Sequence, residues 1–133
     1  MENNSNKMAS ANFEQFHSFF EHLPVGAYRT SYDGKFLIAN QALVKIFGCN
    51  SIEELLQKNA NDFYIDTHTR QNTFEQIKQA GGTIILEIII RRNDGKIIQI
   101  RDYGKATFNN NGEVEYIDGI IEDVTDKIKT TNC

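Results

Sequence analysis

At 133 residues the chain is long enough for one domain that buries roughly two-thirds of its unfolded surface. A net charge of −4 and a pI near 5.3, with no basic cluster and no aromatic–basic interleaving, argue against a nucleic-acid partner. Cys49 and Cys133 are too few for a disulfide framework, no apolar run reaches the length of a membrane span, and the N-terminus lacks an apolar signal region, so a cytoplasmic, reducing location is expected.

Residues 1–10 are Asn/Ser-rich and are expected to form a disordered tail. From Ala11, the residues Phe13, Phe16, Phe20 and Leu23 recur at helical spacing until Pro24 stops the pattern, which predicts an amphipathic helix over 11–23. Its aromatic face needs an apolar partner, and the outer sheet face around Ile85 and Ile89 is the obvious one, within the chain or in a second copy. His17 and His22 are five apart and do not share a face, so no metal pair is expected there.

Val25 to Ser31 and Lys35 to Ala39 read as short strands around the turn Tyr32-Asp33-Gly34. Asn40 offers a cap for a helix over Gln41 to Phe47, closed by Gly48, and Ser51 with Glu54 forms the signature of a capping box ahead of Leu55 and Leu56. Asn59 to Tyr64 is irregular or a single turn, anchored by Phe63 and Tyr64. Asp66 is then expected to cap a longer helix through Ala80, with Arg70, Phe74 and Ile77 on one stripe and Gly81-Gly82 as its stop.

The last third is a three-stranded meander. Thr83 to Arg92 is rich in β-branched residues and ends at the turn Asn93-Asp94-Gly95; Lys96 to Phe108 follows, then the turn Asn109 to Gly112, and Glu113 to Val124 returns. Alternation assigns Leu86, Ile88, Ile90, Ile98 and Ile100 to a core face. Ile85, Ile89, Ile97 and Tyr103 go to an opposite face with Glu87, Arg91 and Arg101. That second face is too apolar to stand bare, and something is expected to cover it. Asp102 shares the core face, where a carboxylate needs a ligand or a partner such as Arg29, Arg101 or Lys105. With no βαβ repeat, the order β-β-α-α-α-β-β-β predicts an α+β domain with one antiparallel sheet.

With these elements placed, the sequence resembles a PAS domain over about Leu23 to Lys129. The resemblance is carried by Pro24 to Gly34, Ala39 to Leu43, Gly48 followed by Ser51 to Leu55, and Phe63 to Asp66 with Arg70. Further along come Glu87, Arg91 to Gly95, and the closing run Gly119 to Thr125 with its Asp-x-Thr ending. The resemblance implies a five-stranded sheet in order 2-1-5-4-3, helices on one face enclosing a pocket, and the helix over 11–23 on the outer face. Residues 24–126 would be the domain, and 127–133 the start of a signalling helix.

The resemblance also implies a role in sensing and relay rather than catalysis. The pocket between long helix and sheet would be lined by Phe47, Phe63, Tyr64, Phe74, Ile77, Leu86, Ile88, Ile98 and Ile100, with Asp102. A filled core with no ligand is the competing reading. Phe13, Phe16, Phe20, Ile85 and Ile89 would form a homodimer seam. Asp123 would anchor the strand end and Thr125 cap the outgoing helix. The effector would be a histidine kinase or nucleotide cyclase in a parent protein, since the chain to Cys133 leaves no room for one. No cofactor is assigned: His68 sits in the first turn of the long helix rather than inside it, where haem-binding members place their histidine, and Asn59 to Phe63 lacks the reactive cysteine of flavin-binding members. No catalytic or metal site is expected, because Asp102 alone is no acid–base pair and no catalytic motif occurs.

Overall fold

The computed structural model describes residues 14–66 and 68–125. The expected tail over residues 1–10, Phe13 and the outgoing helix over 127–133 lie outside the described residues. A helix over 14–21, α1, leads into strand β1 (Gly26–Ser31) and strand β2 (Phe36–Ala39). Three short elements follow: α2 (Gln41–Ile46), α3 (Ile52–Leu56) and a 3-10 turn (Ala60–Phe63). Helix α4 (Thr69–Gln79) then feeds the meander of β3 (Thr83–Arg91), β4 (Ile97–Phe108) and β5 (Val114–Asp123). The sheet has the order β2-β1-β5-β4-β3 with every neighbouring pair antiparallel, as the resemblance implies.

Register explains the two faces. Leu86, Ile88 and Ile90 stand opposite Asp102, Ile100 and Ile98, so their side chains share one side of the sheet, and Ile117 and Ile121 of β5 continue it. The core forms where α2, α3, the 3-10 turn and α4 cover this side. Phe36, Phe47 and Phe63 meet there, with Phe47 and Phe63 stacked at 4.5 Å between ring centres. Isolated bridges from Lys35 to Asn59 and from Tyr64 to Ile90 tie the segment around the 3-10 turn to both edges of the sheet.

Asn40 holds the entrance of the fold together. Fully buried, its side-chain oxygen accepts from the amides of Ala27 (2.9 Å) and Leu43 (3.1 Å), which makes it the cap of α2. Its amide nitrogen donates to the carbonyls of Phe20 and Val25, both at 3.0 Å, and so fastens the end of α1 to the core.

Two local expectations are corrected. Asp66 does not cap α4: it accepts from the amide of His68 (2.9 Å) in an Asx turn, and His68 occupies the cap position without a side-chain bond. Ser51 does accept from the Glu54 amide, yet the Glu54 carboxylate reaches Asn93 (2.8 Å) in the β3–β4 turn rather than completing a capping box. A reciprocal box forms instead at Asn59 and Asp62, ahead of the 3-10 turn.

On the outer face, α1 does not reach Ile85 and Ile89 within the chain. Helix α1 sets Phe16 and Phe20 along a groove with Ala27, Arg29, Ile38, Tyr103 and Ile120, toward the β1–β5 centre of the sheet. Within the described chain, nothing covers Ile85 and Ile89, which remain 61% and 54% exposed. The reason is reach: α1 connects directly to β1, which is separated from β3 by the two strands β5 and β4.

Candidate functional site

Between the inner sheet face and α4 lies a mostly apolar cavity lined by side chains of all five strands, α4 and the segments after α2 and around the 3-10 turn. Phe47, Tyr64, Ile77, Leu86, Ile88, Ile100 and Asp102, all expected at the pocket, line it. Phe63, Phe74 and Ile98 do not. Phe63 is stacked behind Phe47, Ile98 is buried further along β4, and Phe74 sits at the domain edge with its ring 5.3 Å from that of exposed Tyr32. The cavity leaves about 30 Å³ in which the centre of a water molecule can sit. On that measure one water needs roughly 10–15 Å³, so the space suits about two waters or a molecule of a few heavy atoms. As the side chains stand, neither a haem nor a flavin fits.

Of the polar side chains in the lining, Tyr28 and Thr30 come from β1, which the sequence pattern did not single out, Tyr64 from the segment after the 3-10 turn, Thr73 from α4 and Asp102 from β4. The Tyr28 hydroxyl lies 2.9 and 3.0 Å from the two carboxylate oxygens of Asp102 and donates its proton to that carboxylate. To reach β4 from β1 the ring must cross β5, and it does so at Gly119, where an added Cβ would lie 2.4 Å from ring atoms of Tyr28. Arg29 and Arg101 are therefore not the partners of Asp102. They project from the other face, where Arg29 pairs with Asp118 (2.6 Å) and Arg101 with Glu87 (2.8 Å).

Thr30 is the second polar residue from β1. Its side chain is 2% exposed, and its Oγ1 is the buried side-chain polar atom that lacks a hydrogen-bond partner among the described residues. Leaving a buried hydroxyl unpaired costs about 1–3 kcal/mol. A β-bulge sets the local geometry: Arg29 pairs with Ile38 and Thr30 with Phe36, leaving Leu37 as the extra residue on β2. Such a bulge requires one residue more on one strand than on its neighbour, which alternation alone does not reveal.

Away from the pocket, Asp123 accepts from the amide of Thr125 (3.0 Å), while the Thr125 hydroxyl accepts from the Gln99 amide (2.9 Å) and the Gln99 carbonyl accepts from the Val124 amide (2.9 Å). The exit is thereby bonded to β4 between Ile98 and Ile100. Any cap that Thr125 makes on the following residues lies outside the described residues. On the outer face Arg29 clasps Asp118 through two nitrogens and stands 4.0 Å from the Tyr116 ring centre; the hydrogen bond to Asp118 raises its guanidinium above the ordinary range. Cys49 is half-buried, and desolvation, reinforced by Glu54, pushes its thiol up and makes it a poor nucleophile. His68 is exposed, and among the described residues no three His, Cys, Asp or Glu side chains cluster as metal ligands. No helix among the described residues is long and apolar enough to cross a membrane.

Comparison with known proteins agrees with this geometry. The family model described as the PAS fold matches residues 14–124. Among solved structures, the PAS domain of a protein from Colwellia psychrerythraea is 20% identical, with a TM-score of 0.72 over 86% of this chain and 98% of that one. A PAS domain from a two-component sensor histidine kinase is 17% identical, with a TM-score of 0.71 over 86% and 98%. A PAS domain of a LuxR-family transcriptional regulator from Burkholderia thailandensis, in complex with ethanol, is 20% identical, with a TM-score of 0.69 over 82% and 96%. No curated protein matches the chain. A chain whose strand order, covering helices and inner cavity follow one pattern, and whose residues 14–124 match the family model, belongs to the PAS-fold family.

Proposed function

We propose that the domain is a sensory signalling module: a small molecule held in the inner cavity favours one arrangement of sheet and helices, and the exit at Asp123 and Thr125 passes the change to an effector domain or partner. The observation that carries this reading is the continuity of β4. Ile100 and Asp102 line the cavity, and Gln99, one residue earlier, is bonded to Val124 and Thr125. A shift of that wall is felt by the outgoing chain without any further intermediary. The ethanol complex of the similarly folded Burkholderia domain supports a ligand of small size, and the histidine-kinase PAS domain supports a kinase-type effector, with a cyclase as the alternative. The low cysteine content fits a reducing, cytoplasmic setting. Native mass spectrometry of the purified domain tests the reading: a small mass retained with the folded protein and lost on unfolding is expected, and a bare domain that no small molecule stabilises would end it.

The second reading, a ligand-free dimerisation module, rests on the exposed apolar side chains of α1 and β3. Phe16 is 64% exposed, and Ile85 and Ile89 are bare. Phe13, Phe16, Phe20, Ile85 and Ile89 are the proposed seam. Replacing Phe16 and Phe20 together with serine should convert dimer to monomer in sedimentation velocity. Unchanged sedimentation would leave α1 as an intramolecular cover.

A further inference from the structure

We propose that Thr30 is the polar anchor of the inner cavity and that the cavity selects a short, uncharged molecule with one hydroxyl or carbonyl group on a small carbon body. The inference rests on the sensory reading above and names the ligand class it would require. Thr30 faces the cavity in register with Ile117, which also lines it, and both are shielded from solvent. Valine has nearly the same shape and the same preference for strands, so the hydroxyl is not needed for packing. A buried hydroxyl with no partner among the described residues is an unfilled hydrogen-bonding position, and here it opens onto a space large enough for a guest.

The surroundings narrow the guest. Phe36, Phe47, Ile88 and Ile117 present hydrocarbon, so most of the guest must be apolar. The volume limits it to about two to four non-hydrogen atoms unless side chains give way. An anion would face the Asp102 carboxylate across a small, mostly apolar space. An ammonium brings three donors, whereas the orphaned group supplies a single oxygen and the Asp102 carboxylate is already engaged by the Tyr28 hydroxyl. An alcohol or a ketone needs one hydrogen bond, and a threonine hydroxyl can accept from the first or donate to the second.

The test titrates 1-propanol, acetone, propylammonium chloride and xenon into 15N-labelled wild type, Thr30→Val and Thr30→Ser, following amide shifts, with the spectrum itself reporting that each variant is folded. In the wild type, propanol and acetone should shift the amides of Thr30, Ile88 and Ile117 saturably, and propylammonium should not. Thr30→Val should bind propanol about tenfold more weakly, a difference of about 1.4 kcal/mol, while xenon still enters; Thr30→Ser should retain the propanol affinity. Propanol binding equally well to Thr30→Val, or propylammonium binding more tightly than propanol, would overturn the assignment of anchor and ligand class while leaving the pocket intact. Failure of every probe, xenon included, to reach the wild-type cavity would instead remove the sensory reading on which the assignment rests.

Discussion

Replacing Asn40 with alanine should cost the domain about 3–5 kcal/mol. The side chain is fully buried and engages four backbone groups, the amides of Ala27 and Leu43 and the carbonyls of Phe20 and Val25. Loss of the α2 cap is worth about 1 kcal/mol. The buried Ala27 amide is then left unpaired, at about 1–3 kcal/mol. The carbonyls of Phe20 and Val25 belong to half-buried residues and can be rehydrated, so each adds only about 0.5 kcal/mol. Because the chain has no tryptophan, urea unfolding is best followed by far-ultraviolet circular dichroism. The midpoint should fall with the slope unchanged. Hydrogen exchange should also rise in α1, since Asn40 ties the Phe20 carbonyl to the core. Asn40→Asp should fall between wild type and alanine at neutral pH, because it keeps both accepted bonds and turns a carboxylate toward two carbonyls. That arrangement raises the introduced carboxyl's pKa, so its deficit should shrink as the pH falls and one donor is regained. A loss below about 1 kcal/mol for Asn40→Ala would refute the view that this side chain joins α1, β1 and α2.

Gly119→Ala should destabilise by about 1–3 kcal/mol through overpacking, because the new methyl meets the Tyr28 ring. It should also part Tyr28 from Asp102, visible as a changed phenol absorbance; a neutral Gly119→Ala would show that the ring does not lie on β5. Phe74→Ala should cost only about 1–2 kcal/mol, since the ring is half-exposed and stacked on a surface tyrosine. A loss of 4 or more, roughly that of a fully buried phenylalanine, would place it in the core after all. Alkylation of Cys49 by iodoacetamide at mildly alkaline pH should be slower than that of a free thiol, because burial raises its pKa. By linkage, the stability from keeping that thiol protonated is fully present below the unfolded thiol pKa and is lost as pH rises through the folded value. Alkylation as fast as that of an unfolded peptide would contradict the burial.

The sheet was legible where residues repeat with a period. Leu86, Ile88 and Ile90 against Ile98 and Ile100 alternate without interruption, and the turns at Asn93-Asp94-Gly95 and Asn109 to Gly112 leave little freedom of register. Strand order came from the family resemblance, because alternation does not tell which strands are neighbours. The polar part of the cavity was hidden for a different reason. Tyr28 and Thr30 sit on a strand of six residues next to a bulge, too short for its pattern to reveal which side meets α4. Asp102 was identifiable as a carboxylate on an apolar face, but its tyrosine partner was not, since the contact spans 74 residues of sequence and depends on a glycine of a third strand. Glu54 and Asp66 had the residue types of helix caps, and tertiary or turn bonding claimed them instead. The site of α1 followed from the length of its connection to β1, not from the match between two apolar faces.

In this sheet β1 and β5 lie side by side at the centre and run in opposite directions, with Gly26 across from Ile121. The chain therefore enters β1 and leaves β5 at the same end of the sheet, about one strand spacing apart, about 4.8 Å. Tyr28 acts as a strut over this joint: it is rooted in β1, rests on Gly119 of β5 and is pinned to Asp102 of β4. Anything that lifts the ring loosens the contact between β1 and β5, and across so short a separation a small rotation of one strand against the other becomes a wide change in the angle between the chain entering β1 and the chain leaving β5.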